Sequence, residues 1–97
     1  MTDQELKVLS PLALNEAVAR KLHPDEIIII SRAKNYCHSI EAAWEIVEQI
    51  NQTYGFVLGK SGNKWIVSTT WDNDIESIAE ADTAPMAICL AFLKLEA

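Results

Sequence analysis

The closing segment, Asp82-Thr-Ala-Pro-Met-Ala-Ile-Cys-Leu-Ala-Phe-Leu-Lys-Leu-Glu-Ala97, constrains the fold more than any other stretch of the chain. Asp82 and Thr83 are good N-cap types, and Pro85 falls in the first helical turn, where a missing N–H costs nothing. At about 100° per residue, Met86, Ile88, Cys89, Leu90, Phe92, Leu93 and Leu95 sweep an arc of roughly 220°. Only Ala84, Ala87, Ala91 and Lys94 fall outside that arc. A helix resting on one small core needs little more than about 100° of apolar surface. The surplus predicts burial against a partner, with Met86, Leu90 and Leu93 as the interface candidates.

The chain has 97 residues, which is one domain, because halves of it would be too small to bury a stable core. Residues 1–9 read as a leader in which Thr2 and Glu5 match a capping box and Leu6, Val8 and Leu9 are available to pack. A net charge of −6 with scattered basic residues excludes the clustered cations of a nucleic-acid surface. The run lengths exclude a membrane span, and the acidic start lacks the basic flank of a signal peptide, so a cytoplasmic location is expected. In that reducing setting Cys37 and Cys89 read as small buried hydrophobes, with a disulfide as the disfavoured alternative.

Ser10, Pro11 and the Leu9/Leu14 staple start a helix over 11–22 that buries Leu14, Val18 and Leu22 and pairs Glu16 with Arg20 on its other side. Glu26 to Ser31 holds four consecutive isoleucines and reads as a strand buried on both faces. Ser39 caps a second helix to about Asn51, with Ile40, Ala43, Trp44, Val47 and Ile50 expected inward and Glu41, Glu45 and Glu48 outward. Residues 54–59 and 64–70 form a hairpin closed by Lys60-Ser-Gly-Asn63. The stretch from Trp71 to Ala81 is irregular, either a short strand or a turn of helix, with Ile75 and Ile78 the expected inward contacts. These elements predict an α+β domain in which an antiparallel or mixed sheet with a central hairpin is flanked by about three helices.

No set of residues announces a reaction. Asp72, Asp74 and Glu76 have ligand-like spacing, but Ser77 stands where a calcium loop needs Gly and Thr83 where it needs Glu. Cys37 and His38 are neighbours without a third ligand, with His23 and Cys89 distant, so no metal and no cofactor is expected. Gly59-Lys-Ser-Gly62 leads into a strand, not the helix of a phosphate loop. Tyr36 and Trp71 lie in irregular segments with Arg32 and Lys34 near the first of them, and these four are the candidate walls of a ligand site.

Two segments carry a family likeness: Asn35-Tyr-Cys-His-Ser-Ile-Glu-Ala-Ala-Trp-Glu-Ile-Val47 and Ala79-Glu-Ala-Asp-Thr-Ala-Pro-Met-Ala-Ile-Cys-Leu-Ala-Phe-Leu-Lys94. With the Trp-centred hairpin between them, they resemble the phage ABA sandwich domain, with a more distant similarity to the NinX-like phage proteins. The resemblance implies a small α-β-α sandwich of phage or prophage origin, and it implies no activity and no catalytic residues. The expected function is therefore a non-enzymatic, homodimeric binding module that meets a host protein or a small molecule. Two alternatives are an acidic decoy of a host nucleic-acid-binding protein, using Glu41, Glu45 and Glu48 with the acids from Asp72 to Asp82, and sequestration of a nucleotide-like ligand.

Overall fold

The computed structural model describes residues 3–24 and 34–95, and the strand expected at Ile27 to Ile30, with Arg32, lies outside the described residues. The described elements run α1 (Asp3–Lys7), α2 (Pro11–Leu22), α3 (Ile40–Asn51), β1 (Gly55–Ser61), β2 (Lys64–Trp71), β3 (Asp74–Ala81) and α4 (Ala84–Lys94). They form an α+β sandwich with an open antiparallel sheet in the order β1-β2-β3.

Helix α4 is the centre of the core. It packs against α2, α3, β2 and β3, and Ala87, Ile88, Cys89, Ala91, Phe92 and Leu93 are all buried within the single chain. A helix with so wide an apolar surface needs walls on several sides, and here α2, α3 and the sheet cover most of it. Of the three interface residues expected from this helix, Leu93 belongs instead to the core, while Met86 and Leu90 are half-buried. Ala87 and Ala91, which lay outside the apolar arc, have no exposed surface, because a methyl side chain lets a neighbouring element come close.

Both ends of α4 are secured by side chains. The Thr83 hydroxyl accepts the Met86 N–H at 3.4 Å, and Asp82 pairs with Lys64 at the start of β2 instead of capping. At the other end the Lys21 ammonium, carried by α2, donates to the carbonyls of Phe92 and Leu95 and lies 4.6 Å from the Phe92 ring centroid. Those carbonyls have no partner within the helix, so a cation there satisfies them and suits the helix dipole. Burial holds the Lys21 pKa below its usual value.

Helix α2 starts at Ser10, whose hydroxyl accepts the Ala13 N–H, and Glu16 pairs with Arg20 as expected. It also buries a polar residue, Asn15. The Asn15 Oδ1 accepts the buried Cys37 N–H at 3.0 Å, and its Nδ2 donates to the Asn35 Oδ1 at 3.1 Å. The same Asn35 oxygen lies 3.0 Å from the His38 Nδ1. This amide pair fixes the turn that delivers Tyr36 and Cys37 into the core ahead of α3.

In α3 the buried residues are Ala43, Ile46, Val47 and Ile50, whereas Ile40 and Trp44 are exposed. The helix is rotated relative to the expected stripe, so that the small Ala43 rather than the indole of Trp44 takes the fully buried position beside the core.

The first hairpin turns at Gly62 and Asn63, and only Gly62 has a left-handed φ, +61°, the pattern of a type II′ turn. The irregular stretch after Trp71 is a second hairpin. Asp72 (φ 51°) and Asn73 (φ 71°) are both left-handed, as a two-residue type I′ turn requires, and Trp71 pairs with Asp74 across it. Between Val67 and Ser68 the register shifts, so Val67 faces Ala79 and Ser68 faces Ser77, leaving Ile78 as the extra residue of a bulge. Ile78 and Ala79 thus both reach the core, and Ile75, expected inward, is 67% exposed. On the core face Phe56, Leu58 and Trp65 flank the buried Val67 and Thr69, while Val57 on the opposite face is exposed. Gly55 lies against Thr70, where an added Cβ would fall 1.9 Å from the Thr70 Oγ1.

Two substitutions test this packing by chemical denaturation. Ala87→Leu places extra carbons where no space exists and should cost about 1–3 kcal/mol. Asn15→Ala leaves the buried Cys37 N–H without its acceptor and should cost about 1–3 kcal/mol, with the loss concentrated in the turn before α3.

Candidate binding groove

An open groove of about 740 Å³ lies where α1, the start of α2, β3 and α4 meet. Each wall follows from a local feature of the sequence. Met86, Leu90 and Lys94 recur at every fourth position of α4 and form one stripe along the groove. The bulge brings Ile78 and Ala79 to it together, and Leu6 and Leu14 close the side formed by α1 and α2. Ile66, Ser77 and Glu80 extend it round the β3 edge of the sheet.

Charge in the groove comes from Lys7 and Lys94 against Glu80. The Lys94 Nζ donates to the Ile78 carbonyl at 2.9 Å, which satisfies an oxygen of the bulge and holds the end of α4 to β3. The Ser77 hydroxyl lies 3.3 Å from that of Ser68. The lining is thus an apolar floor with a few ammonium and hydroxyl groups, a surface built for contact with apolar groups.

The four candidate ligand-wall residues have separate surroundings. Tyr36 is 2% exposed and is core, not a platform for a ligand. Trp71 is 62% exposed at the end of β2 and sets its ring edge-on to Tyr54 at a centroid distance of 5.8 Å. Lys34 is paired at 3.1 Å with Glu45, and Arg32 lies outside the described residues. An aromatic in an irregular segment reads as a binding residue, but Tyr36 sits in a turn that the Asn15 and Asn35 amides turn inward.

The remaining candidates also find places. Of the acidic stripe on α3, Glu45 is engaged by Lys34 and lies 3.6 Å from the His23 Nε2. Asp72, Asp74 and Glu76 occupy an exposed turn and strand, and no group of three or more metal-ligating side chains converges among the described residues. Cys37 and Cys89 are both buried and free. Of the groove residues, sequence reading singled out Met86 and Leu90. Leu14 and Ile78 carry only the signal of inward contacts, and the amide network of Asn15 gives no signal because a helical Asn looks solvated.

The model of the phage ABA sandwich domain matches residues 13–93. A phage protein from Bacillus cereus ATCC 14579, known from a 2.0 Å crystal structure, has a similar fold, with a TM-score of 0.68 and 29% identity over 93% of each chain. No curated protein matches the chain. The matched segment contains the capped α4, the α3 helix and both hairpins, and the chain belongs to the phage ABA sandwich domain family.

Proposed function

We propose that this phage-derived protein is a non-enzymatic binding module that acts in the host cytoplasm as a homodimer joined through the groove. The observation that carries the reading is the placement of a hollow beside a projection. Val8, 82% exposed, directly follows Lys7 of the groove wall, and Leu12, 54% exposed, lies two residues before Leu14. A two-fold interface uses the same patch on both subunits, so each patch must carry both the apolar projection and the space that receives it. The groove volume is within the usual range of about 300–1,000 Å³ for pockets that receive apolar groups.

Two other readings have less support. A nucleotide-sequestering site would need Tyr36 at the surface, and an acidic decoy would have Glu45 and Asp82 already paired with lysines of the chain itself. An enzymatic reading would need acid, base and nucleophile groups paired with one another, whereas in the groove Lys94 is engaged by the Ile78 carbonyl and the Ser77 hydroxyl by that of Ser68.

Sedimentation velocity over a range of concentrations tests the proposal. The native chain should sediment as a dimer. Val8→Asp, which changes a side chain with almost no contacts in the single chain, should weaken the dimer at least tenfold, or about 1.4 kcal/mol, with unchanged circular dichroism. Leu90→Glu should do the same from the other side of the contact. A native chain that remains monomeric at every concentration, or a Val8→Asp dimer as tight as the native one, would refute the proposal.

A further inference from the structure

A hollow of about 70 Å³ lies where the ends of α2, α3 and α4 meet, and it shares no residue with the groove. Ile50, Phe92 and Leu95 give it an apolar floor, and Lys21, Gln49 and Thr53 bring polar groups to it. Tyr54 forms one wall, and the exposed Trp71 holds that ring edge-on at a centroid distance of 5.8 Å. The space is several times the roughly 10–15 Å³ that one water needs.

The backbone acceptors around the hollow are already engaged. The Phe92 and Leu95 carbonyls take two N–H groups of the Lys21 ammonium. At the end of α3 the Gln49 carbonyl takes the Gln52 N–H at 3.3 Å, and the Ile50 carbonyl takes those of Thr53 and Tyr54 at 3.1 and 2.9 Å. What remains is donor capacity. An ammonium carries three N–H groups and accepts nothing, so Lys21 keeps one, and the Gln49 amide and Thr53 hydroxyl supply others.

Charge points the same way. No carboxylate lines the hollow, and among the described residues none pairs with Lys21, although acids outnumber bases 14 to 8 in the chain. The C-terminal end of α4 offers only about half a negative charge, which leaves part of the charge on a half-buried cation uncompensated. An anion that accepts the remaining N–H completes the balance with a charge-assisted hydrogen bond.

The geometry points to a binding site for a short-chain monocarboxylate, its carboxylate held by Lys21, Gln49 and Thr53 and its alkyl tail laid on Ile50, Phe92 and Leu95. Size sets the chain length, since a tail of about two or three carbons fills the space and a longer one projects into solvent. Inorganic phosphate has no tail and leaves the apolar floor uncovered.

The test is a titration of the isotope-labelled native chain with sodium butyrate at constant ionic strength, followed by NMR, with butanol as the uncharged control. Amide signals of Thr53, Tyr54 and Leu95 should shift along one saturable curve with a millimolar midpoint, the affinity expected for a ligand of about six heavy atoms. Butanol should leave them nearly unmoved. Gln49→Glu, at an exposed position of α3, sets a competing carboxylate at the hollow and should weaken binding at least tenfold with the rest of the spectrum unchanged. Lys21→Met should abolish binding but also releases the end of α4, so Gln49→Glu is the deciding variant. Shifts that never saturate, equal shifts with butanol, or a Gln49→Glu chain that binds as tightly as the native one would overturn the proposal. Saturable shifts that map instead to Lys7 and Lys94 of the groove would overturn it as well.

Discussion

The close approach made possible by Ala87 and Ala91 is the constraint on which the fold depends. These two side chains have no exposed surface, and they let α4 lie among α2, α3 and the sheet at once. With larger residues there, α4 would be held away from its neighbours, and the burial of Ile88, Phe92 and Leu93 would be incomplete. The polar anchors serve the same helix. Thr83 starts it, Lys21 receives its last carbonyls, and Lys94 ties it to the bulge of β3.

Much of this architecture is legible where local chemistry decides. Ser10, Ser39 and Thr83 each cap the helix that their position announces, and the Gly62-Asn63 turn closes the hairpin that the flanking strands imply. Elements set by tertiary geometry are harder to read. Strand β3 is hidden because Asp72 and Asn73 make an unmarked I′ turn without glycine, and because the bulge at Ile78 breaks the two-residue alternation that identifies a strand. Ile75 and Trp44 look like core residues in their helical or strand patterns, but the rotation of α3 and the register of β3 leave them outside.

The candidate site was less legible than the fold for a related reason. An apolar residue gives the same sequence signal whether it faces a core or a groove, so Leu93 and Leu90 looked equivalent, yet one is buried and the other lines the groove. Tyr36 shows the opposite case. Its irregular segment suggests exposure, and the buried amide of Asn15, paired with that of Asn35, turns it inward. The function proposed for this family member therefore rests on surface shape: a hollow beside the protruding Val8.

Hydrogen exchange of α4, followed at high and at very low protein concentration, tests most directly the claim that this helix is a core element complete within one chain. Amides from Ile88 to Phe92 should be among the slowest to exchange at both concentrations, opening only with global unfolding and in step with the sheet. Protection of α4 that disappears on dilution while the sheet stays protected would contradict the account, because it would mean that a second chain, and not α2, α3 and the sheet, covers the helix.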